Sequence, residues 1–268
     1  MITSASNPKI QWIRKLQSRR QERHEAQAFV VEGVRLVEEA LLARWEARLI
    51  IFDRTLGERG QRLVHTFAGQ GVNVEEVTPE VLRAASATET PQGILAVLAL
   101  SALPLPERME LLFIPDGVRD PGNLGTMLRT AAAAGVDAVL LPEGTVDPFS
   151  PKVVRAAMGA HFHLPVHSLS WTATAELLQQ AGLRVFLADS GGGVVYTQAD
   201  FLPPLALIVG GEAQGASLYA EQLAHCRVHI PMRRQTESLN AAIAAAVLLF
   251  EINRQRQEKP APHPKFQG

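Results

Sequence analysis

The sequence predicts an α/β protein in two parts: a small α/β/α layer, then a mainly parallel sheet with helices on both faces. Two observations carry this reading. Short apolar runs alternate with helical patterns along most of the chain, which is how βαβ units read. The alternation pauses at 101–108, where Pro104 and Pro106 make a stiff linker. With 268 residues, 47 % of them hydrophobic, the chain can bury a full core as one large or two ordinary domains.

The elements follow in order. Pro8 suits the first turn of a basic helix over 8–24, with Ile10, Ile13 and Leu16 as a thin apolar stripe. Phe29–Val31 reads as a strand, and Glu32-Gly33 turns into a helix with Val34, Val37, Ala40 and Leu41 on one side. A strand (Leu49–Phe52), a helix (Glu58–Ala68) and a strand (Val72–Val74) come next. Thr78 caps a helix that Pro79 opens, and Gly93–Leu100 closes the layer as an apolar strand. Beyond the linker, strands are expected at 111–114, 138–141, 164–167, 184–188, 205–209 and 228–230. Helices are expected at 124–134, 151–159, 172–181, 217–225 and 239–254. The polar, proline-rich tail 257–268 is expected to be disordered.

Net charge is -1, so the average suggests no polyanionic partner. The distribution is uneven. Lys9, Arg14, Lys15, Arg19, Arg20 and Arg23 stand against one acid, Glu22, which reads either as a nucleic-acid footprint or as a solvated helix face. The single cysteine, Cys226, excludes an intrachain disulfide and a cysteine metal cluster, and is expected to be a buried small residue. No apolar run resembles a signal peptide or is long enough to span a bilayer, so a cytoplasmic location is expected. The dinucleotide fingerprint, the P-loop, G-x-S-x-G and H-E-x-x-H are all missing from the sequence. His161 and His163 flank Phe162, but no acid or cysteine completes a set; no metal is expected, and both read as structural or surface histidines. Gly191-Gly192-Gly193 reads as a flexible turn because no helix start follows it.

The chemistry concentrates in two places. In Leu205–Phe250, two strand ends deliver Gly210-Gly211-Glu212, and then Ser238-Leu239-Asn240, to loops; ligands of open α/β sheets bind beyond such carboxyl ends. In Asp120–Gly135, Asp120-Pro121 favours a turn and Asn123 is expected to cap the next helix, with Arg129 six positions on. Taken alone, Arg129 reads as a solvated side chain or as a functional one.

Three stretches together resemble the signature of the SpoU (TrmH-type) branch of the SPOUT RNA methyltransferases: Asp120-Pro-Gly-Asn-Leu-Gly-Thr-Met-Leu-Arg-Thr-Ala, Ile208-Val-Gly-Gly-Glu-Ala-Gln-Gly, and Ile230-Pro-Met followed by Glu237-Ser-Leu-Asn. The order matches over 110–254. Residues 1–100 resemble the ribosomal-protein-like substrate-binding module of many relatives, at Ser6-Asn-Pro-Lys, Phe29–Arg35 and Thr90-Pro-Gln-Gly.

The resemblance implies methyl transfer from S-adenosylmethionine to a ribose 2′-hydroxyl of structured RNA. Ribosomal RNA is the expected substrate; transfer RNA, or a non-catalytic RNA-binding protein on the same scaffold, is the alternative. It implies a deep trefoil knot in a methyltransferase domain at 109–256, and a homodimer through that domain. The apolar character of 239–250 on all sides supports the homodimer. Gly210, Gly211, Ile230, Met232 and Leu239 would hold the cofactor. Arg129 would stabilise the developing alkoxide and clamp a phosphate, with Asn123, Glu212, Ser238 and Asn240 as the other catalytic positions. Lys9, Lys15, Arg19, Arg20, Arg23 and Arg35 would bind RNA. The chain departs from the family pattern at Arg234, where many relatives carry glycine; there it would either alter the cofactor-loop backbone or add a phosphate contact.

Overall fold

The computed structural model describes residues 1–211, 215–233 and 238–257. Its strands are β1 (Ala28–Glu32), β2 (Ala47–Phe52), β3 (Asn73–Glu76), β4 (Ile94–Ala99), β5 (Leu111–Asp116), β6 (Ala138–Leu141), β7 (Val166–Ser168), β8 (Arg184–Ala188), β9 (Val194–Val195), β10 (Leu205–Gly210) and β11 (Cys226–His229). Its α-helices are α1 (Pro8–Ser18), α2 (Arg20–Ala26), α3 (Val34–Leu42), α4 (Glu58–Gly69), α5 (Pro79–Ala85), α6 (Pro121–Ala134), α7 (Pro151–Ala157), α8 (Trp171–Gln180), α9 (Leu218–Leu223) and α10 (Ala241–Gln257). Two compact units emerge. One is Met1–Leu103 with Asp147–His163; the other is Pro104–Val146 with the described residues from Leu164 onward.

The first unit is a four-stranded sheet, β1-β4-β2-β3, in which β1 and β2 run antiparallel to β4 and β3 parallel to β2. Side chains alternate across a strand. Phe29, Val31, Ile94, Ala96 and Leu98 therefore meet α3 and α4 on one face, while Val30, Leu49, Ile51, Leu95 and Val97 meet α1 and α5 on the other. Burial on both faces makes the expected α/β/α layer. The segment 147–163 belongs to this unit: Phe149, Val154 and Phe162 join the α3–α4 face. Reading the sequence as one continuous domain over 109–256 placed this segment elsewhere. Local alternation of strand and helix does not reveal which core a helix joins.

The basic helix expected over 8–24 breaks at Arg19, whose backbone is extended at φ -127°. Arg23 explains the break. Its Nη1 donates to the Leu16 carbonyl at 2.5 Å, serving an acceptor left open at the end of α1. Its Nε and Nη2 donate to Asp147 Oδ2 at 2.9 and 2.5 Å. Arg23 is only 4 % exposed, so it is a structural clamp, and its expected role as an RNA contact is corrected. Removing one partner of such a pair leaves a buried charge uncompensated, at a cost of about 3–5 kcal/mol. Arg23→Ala is expected to lose about that much by denaturant titration, and an Arg23→Leu/Asp147→Leu double variant clearly less. His161, also in this segment, is buried with Nε2 at 2.8 Å from the Pro148 carbonyl, and burial lowers its pKa to about 4. It is a neutral structural histidine; His163 sits near Glu39 and is well exposed.

The second unit is a seven-stranded sheet in the order β7-β6-β5-β10-β8-β11-β9, with every pairing parallel. Leu112, Ile114, Leu140, Leu187 and Ile208 pack towards Trp171, Leu178 and Ala220 on one face. The other helical layer holds α6 against α10, where the Asn253 amide caps the Ala134 carbonyl at 3.0 Å. β9 was not anticipated. It is two residues long and pairs with β11 at the sheet edge. The turn before it needs glycine: Gly193 has φ +107°, and a Cβ there would lie 2.3 Å from the Arg227 carbonyl oxygen. Cys226 is half-buried rather than buried. α10 continues through Gln257, beyond the expected end, and 258–268 of the expected disordered tail lie outside the described residues. Among the described residues no helix is long and apolar enough to cross a membrane.

Candidate functional site

β10 lies between β5 and β8, so the order of the strands reverses beside it. Such a switch leaves a crevice at the carboxyl ends. β10 delivers Gly210 and Gly211 there. A Cβ on Gly210 would fall 2.4 Å from the Gly215 carbonyl carbon, and one on Gly211 2.6 Å from the Gly117 oxygen. Backbone therefore packs directly on backbone, with Gly211 N donating to the Asp116 carbonyl at 2.8 Å and Gly215 N to the Gly211 carbonyl at 3.1 Å. Gly215 turns the chain at φ +67°, which glycine adopts freely. The buried Asp116 carboxylate accepts from Ser217 N at 2.6 Å and fixes the far side of the loop. Glu212, expected to act in catalysis, lies outside the described residues, as does Arg234.

A cavity of about 620 Å³ opens where β8, β10 and β11 end. All five residues expected to hold a cofactor line it, Gly210, Gly211, Ile230, Met232 and Leu239, and Ser238 and Asn240 stand beside them. Leu187, Val209 and Leu248 extend the apolar wall. Besides Glu221 on α9, three polar residues of the lining were not singled out from the sequence: Asp189, Ser190 and His229. They sit just past β8 and at the end of β11, so reading every strand end, and not only the motifs, would have found them. Asp189 accepts from Gly191 N at 2.8 Å and from Arg227 at 2.6 Å, and these two donors, the backbone one first, hold its pKa below the usual carboxylate value. It is anionic at neutral pH. His229 Nδ1 is buried and has no hydrogen-bond partner among the described residues.

The helix cap falls differently from expectation. Asp120, not Asn123, caps α6: its Oδ1 accepts from Asn123 N at 2.8 Å, while Pro121 occupies the first helical turn. Asn123 lies inside that turn, and its side-chain oxygen accepts from Asn240 Nδ2 at 3.2 Å. Asn240 caps α10 through Oδ1, which accepts from Ala242 N at 2.9 Å and Ile243 N at 3.2 Å. One asparagine thus fixes a helix start and ties the cavity lining to α6. Arg129 is on the exposed face of α6 and does not line the cavity. Among the described residues it makes no ion pair. Of the expected RNA contacts, Lys15, Arg19, Arg20 and Arg35 are exposed, Lys15 within 3.9 Å of Glu22, and Lys9 is paired with Glu75.

This lining suits S-adenosylmethionine. Gly210 and Gly211 let main chain close one wall of the cavity, the apolar residues fit a flat heterocycle, and the Asp189 carboxylate and the His229 ring put polar groups beside it.

Comparison with known proteins agrees. The model of the SpoU rRNA Methylase family matches residues 110–250, and that of an MRM3-like substrate binding domain matches residues 7–96. The 23S rRNA (guanosine(2553)-2′-O)-methyltransferase of Bacillus subtilis is 35 % identical over 94 % of this chain and 98 % of its own. The AdoMet-bound rRNA methyltransferase of Sinorhizobium meliloti superposes with a TM-score of 0.86 at 32 % identity, covering 94 % of this chain and 97 % of the other. The SpoU methyltransferase AviRb of Streptomyces viridochromogenes, in complex with AdoMet, gives a TM-score of 0.84 at 29 % identity over 94 % and 99 % of the two chains.

Proposed function

The chain belongs to the SpoU rRNA Methylase family, and from that premise we propose how it transfers the methyl group of S-adenosylmethionine to a ribose 2′-hydroxyl of ribosomal RNA. The observation that carries the proposal is the glycine-walled cavity lined by all five expected cofactor residues. When bound, S-adenosylmethionine would supply an electrophilic methyl group for the ribose 2′-oxygen, the thioether leaving and the hydroxyl proton passing to solvent.

The chain's own groups do the rest. Gly210 and Gly211 bring main chain against the ligand, and Ile230, Met232 and Leu239 with Leu187 and Val209 exclude water from it. Asp189 and His229 give it polar partners. The Asn123–Asn240 hydrogen bond and Ser238 orient the cavity mouth, and Glu212 belongs to the same set. A guanidinium does not give up its proton at neutral pH, so Arg129 acts by holding the phosphate beside the target ribose and stabilising charge on the 2′-oxygen. Calorimetry tests the first step: S-adenosylmethionine is expected to bind intact protein at one site per chain, and Gly210→Val to abolish that binding. Tight RNA binding with no cofactor heat would favour a non-catalytic RNA-binding protein.

The finer reading has four parts. The first unit grips the RNA, with Lys15, Arg19, Arg20 and Arg35 as exposed contacts. The second unit carries the trefoil knot implied by the family. The protein works in the cytoplasm, in keeping with its single cysteine. It is a homodimer through α10, where Ile243, Ala246, Val247 and Phe250 recur at i, i+3, i+4 and i+7 on the side away from the core, with Ile243 51 % and Phe250 50 % exposed. Ile243→Glu with Phe250→Glu is expected to give a folded monomer in sedimentation; intact protein already monomeric at micromolar concentration would remove the dimer from the proposal.

A further inference from the structure

A second cavity, of about 500 Å³, opens on the other side of the glycine loop, where β5, β6 and β10 end. Gly211, Gly215 and Ala216 line both cavities, so the two lie side by side. Tyr219 borders the second cavity and is 60 % exposed. Its ring stacks on Trp171 with centroids 6.1 Å apart and 18° between the planes. Trp171 is itself packed into the apolar cluster beneath β5 and β6, so the tyrosine is held by a fixed support. Arg119 and Glu143 are exposed on the same lining, and Arg119 makes no ion pair among the described residues.

We propose that this cavity seats an unpaired base of the substrate RNA on Tyr219, with Arg119 on a neighbouring phosphate or base edge. The proposal rests on the methyl-transfer reading above and names a substrate subsite for it. Three observations point the same way. An aromatic ring usually buries its faces; this one is backed by a tryptophan yet left mostly open to solvent. The Arg119 guanidinium, without an ion pair among the described residues, borders the same cavity. The lining residues common to both cavities put the seat next to the cofactor cavity, where the sugar of a seated nucleotide must be. Single-stranded RNA is recognised in this way, through bases stacked on aromatic side chains and phosphates held by cations.

Two measurements test it with a transcript of large-subunit ribosomal RNA as the probe. Stacking losses of this kind weaken binding about ten- to a hundred-fold. Tyr219→Ala is expected to raise KM for the transcript by that factor, Tyr219→Phe to restore it, and cofactor binding to stay unchanged. Unchanged KM and kcat in Tyr219→Ala would overturn the subsite while leaving the methyltransferase reading intact. In a Trp12→Phe/Trp45→Phe background, Trp171 becomes the sole tryptophan, and its fluorescence is expected to be quenched by the transcript. Quenching without methyl transfer would keep the subsite and sink the reaction; transcript binding without quenching would sink the subsite. Conversion of a dimer to monomer by Tyr219→Ala, with RNA binding retained, would make this surface a protein interface and also overturn the proposal.

Discussion

Arg129→Ala is expected to lower the rate of methyl transfer about a hundred- to a thousand-fold while leaving S-adenosylmethionine affinity within error of the parent. Losing one preorganised donor at a developing oxyanion costs about 2.7–4 kcal/mol. The cofactor arm follows from placement: Arg129 is exposed on α6 and absent from the cavity lining. Arg129→Lys is expected to recover only part of the rate, because an ammonium lacks the planar fork that grips phosphate. Near-parental turnover in Arg129→Ala would return this arginine to the solvated reading that its sequence context alone allowed.

The second large effect concerns the first unit. Cutting the chain at the proline linker suggests that residues 1–100 could simply be deleted. The structure gives a different expectation. Phe149, Val154 and Phe162 are buried against the strands and helices that the deletion removes, and Asp147 loses Arg23. Exposing three such side chains costs about 1.5–3 kcal/mol each, which is comparable with the whole stability of a domain. The simple deletion is therefore expected to be insoluble or to expose 147–163 to proteolysis. Deletion of 1–100 together with replacement of 147–163 by a flexible linker is expected to give a folded, cofactor-binding protein whose methylation of ribosomal RNA is severely reduced. Proteolysis, calorimetry and a methyl-transfer assay separate these outcomes. Full methylation by the second variant would mean that the first unit does not bind the substrate.

Most of the second unit was legible in the sequence because its signals are local. Val and Leu runs mark buried strands, and glycine pairs mark where backbone must approach backbone, as at Gly210 and Gly211. What was not legible depends on partners far away in the chain. Arg23 looks like its neighbours Arg19 and Arg20, and only Asp147, 124 positions later, makes it a clamp. Asn123 is a good capping residue, yet Asp120 takes the cap because Pro121 fixes the first helical position after it. Cap assignment turns on three residues together, Asp120, Pro121 and Asn123. Asp189 and His229 carry no motif at all; their importance comes from the strands that end beside the same cavity.

The central claim, that this chain methylates a ribose 2′-hydroxyl of ribosomal RNA, is tested most directly by mapping 2′-O-methylation nucleotide by nucleotide in RNA from cells with and without the protein. The account predicts that at least one ribose methylation in ribosomal RNA disappears with the protein, returns with the intact chain, and does not return with Arg129→Ala. Identical ribosomal RNA maps in all of these cells would contradict it.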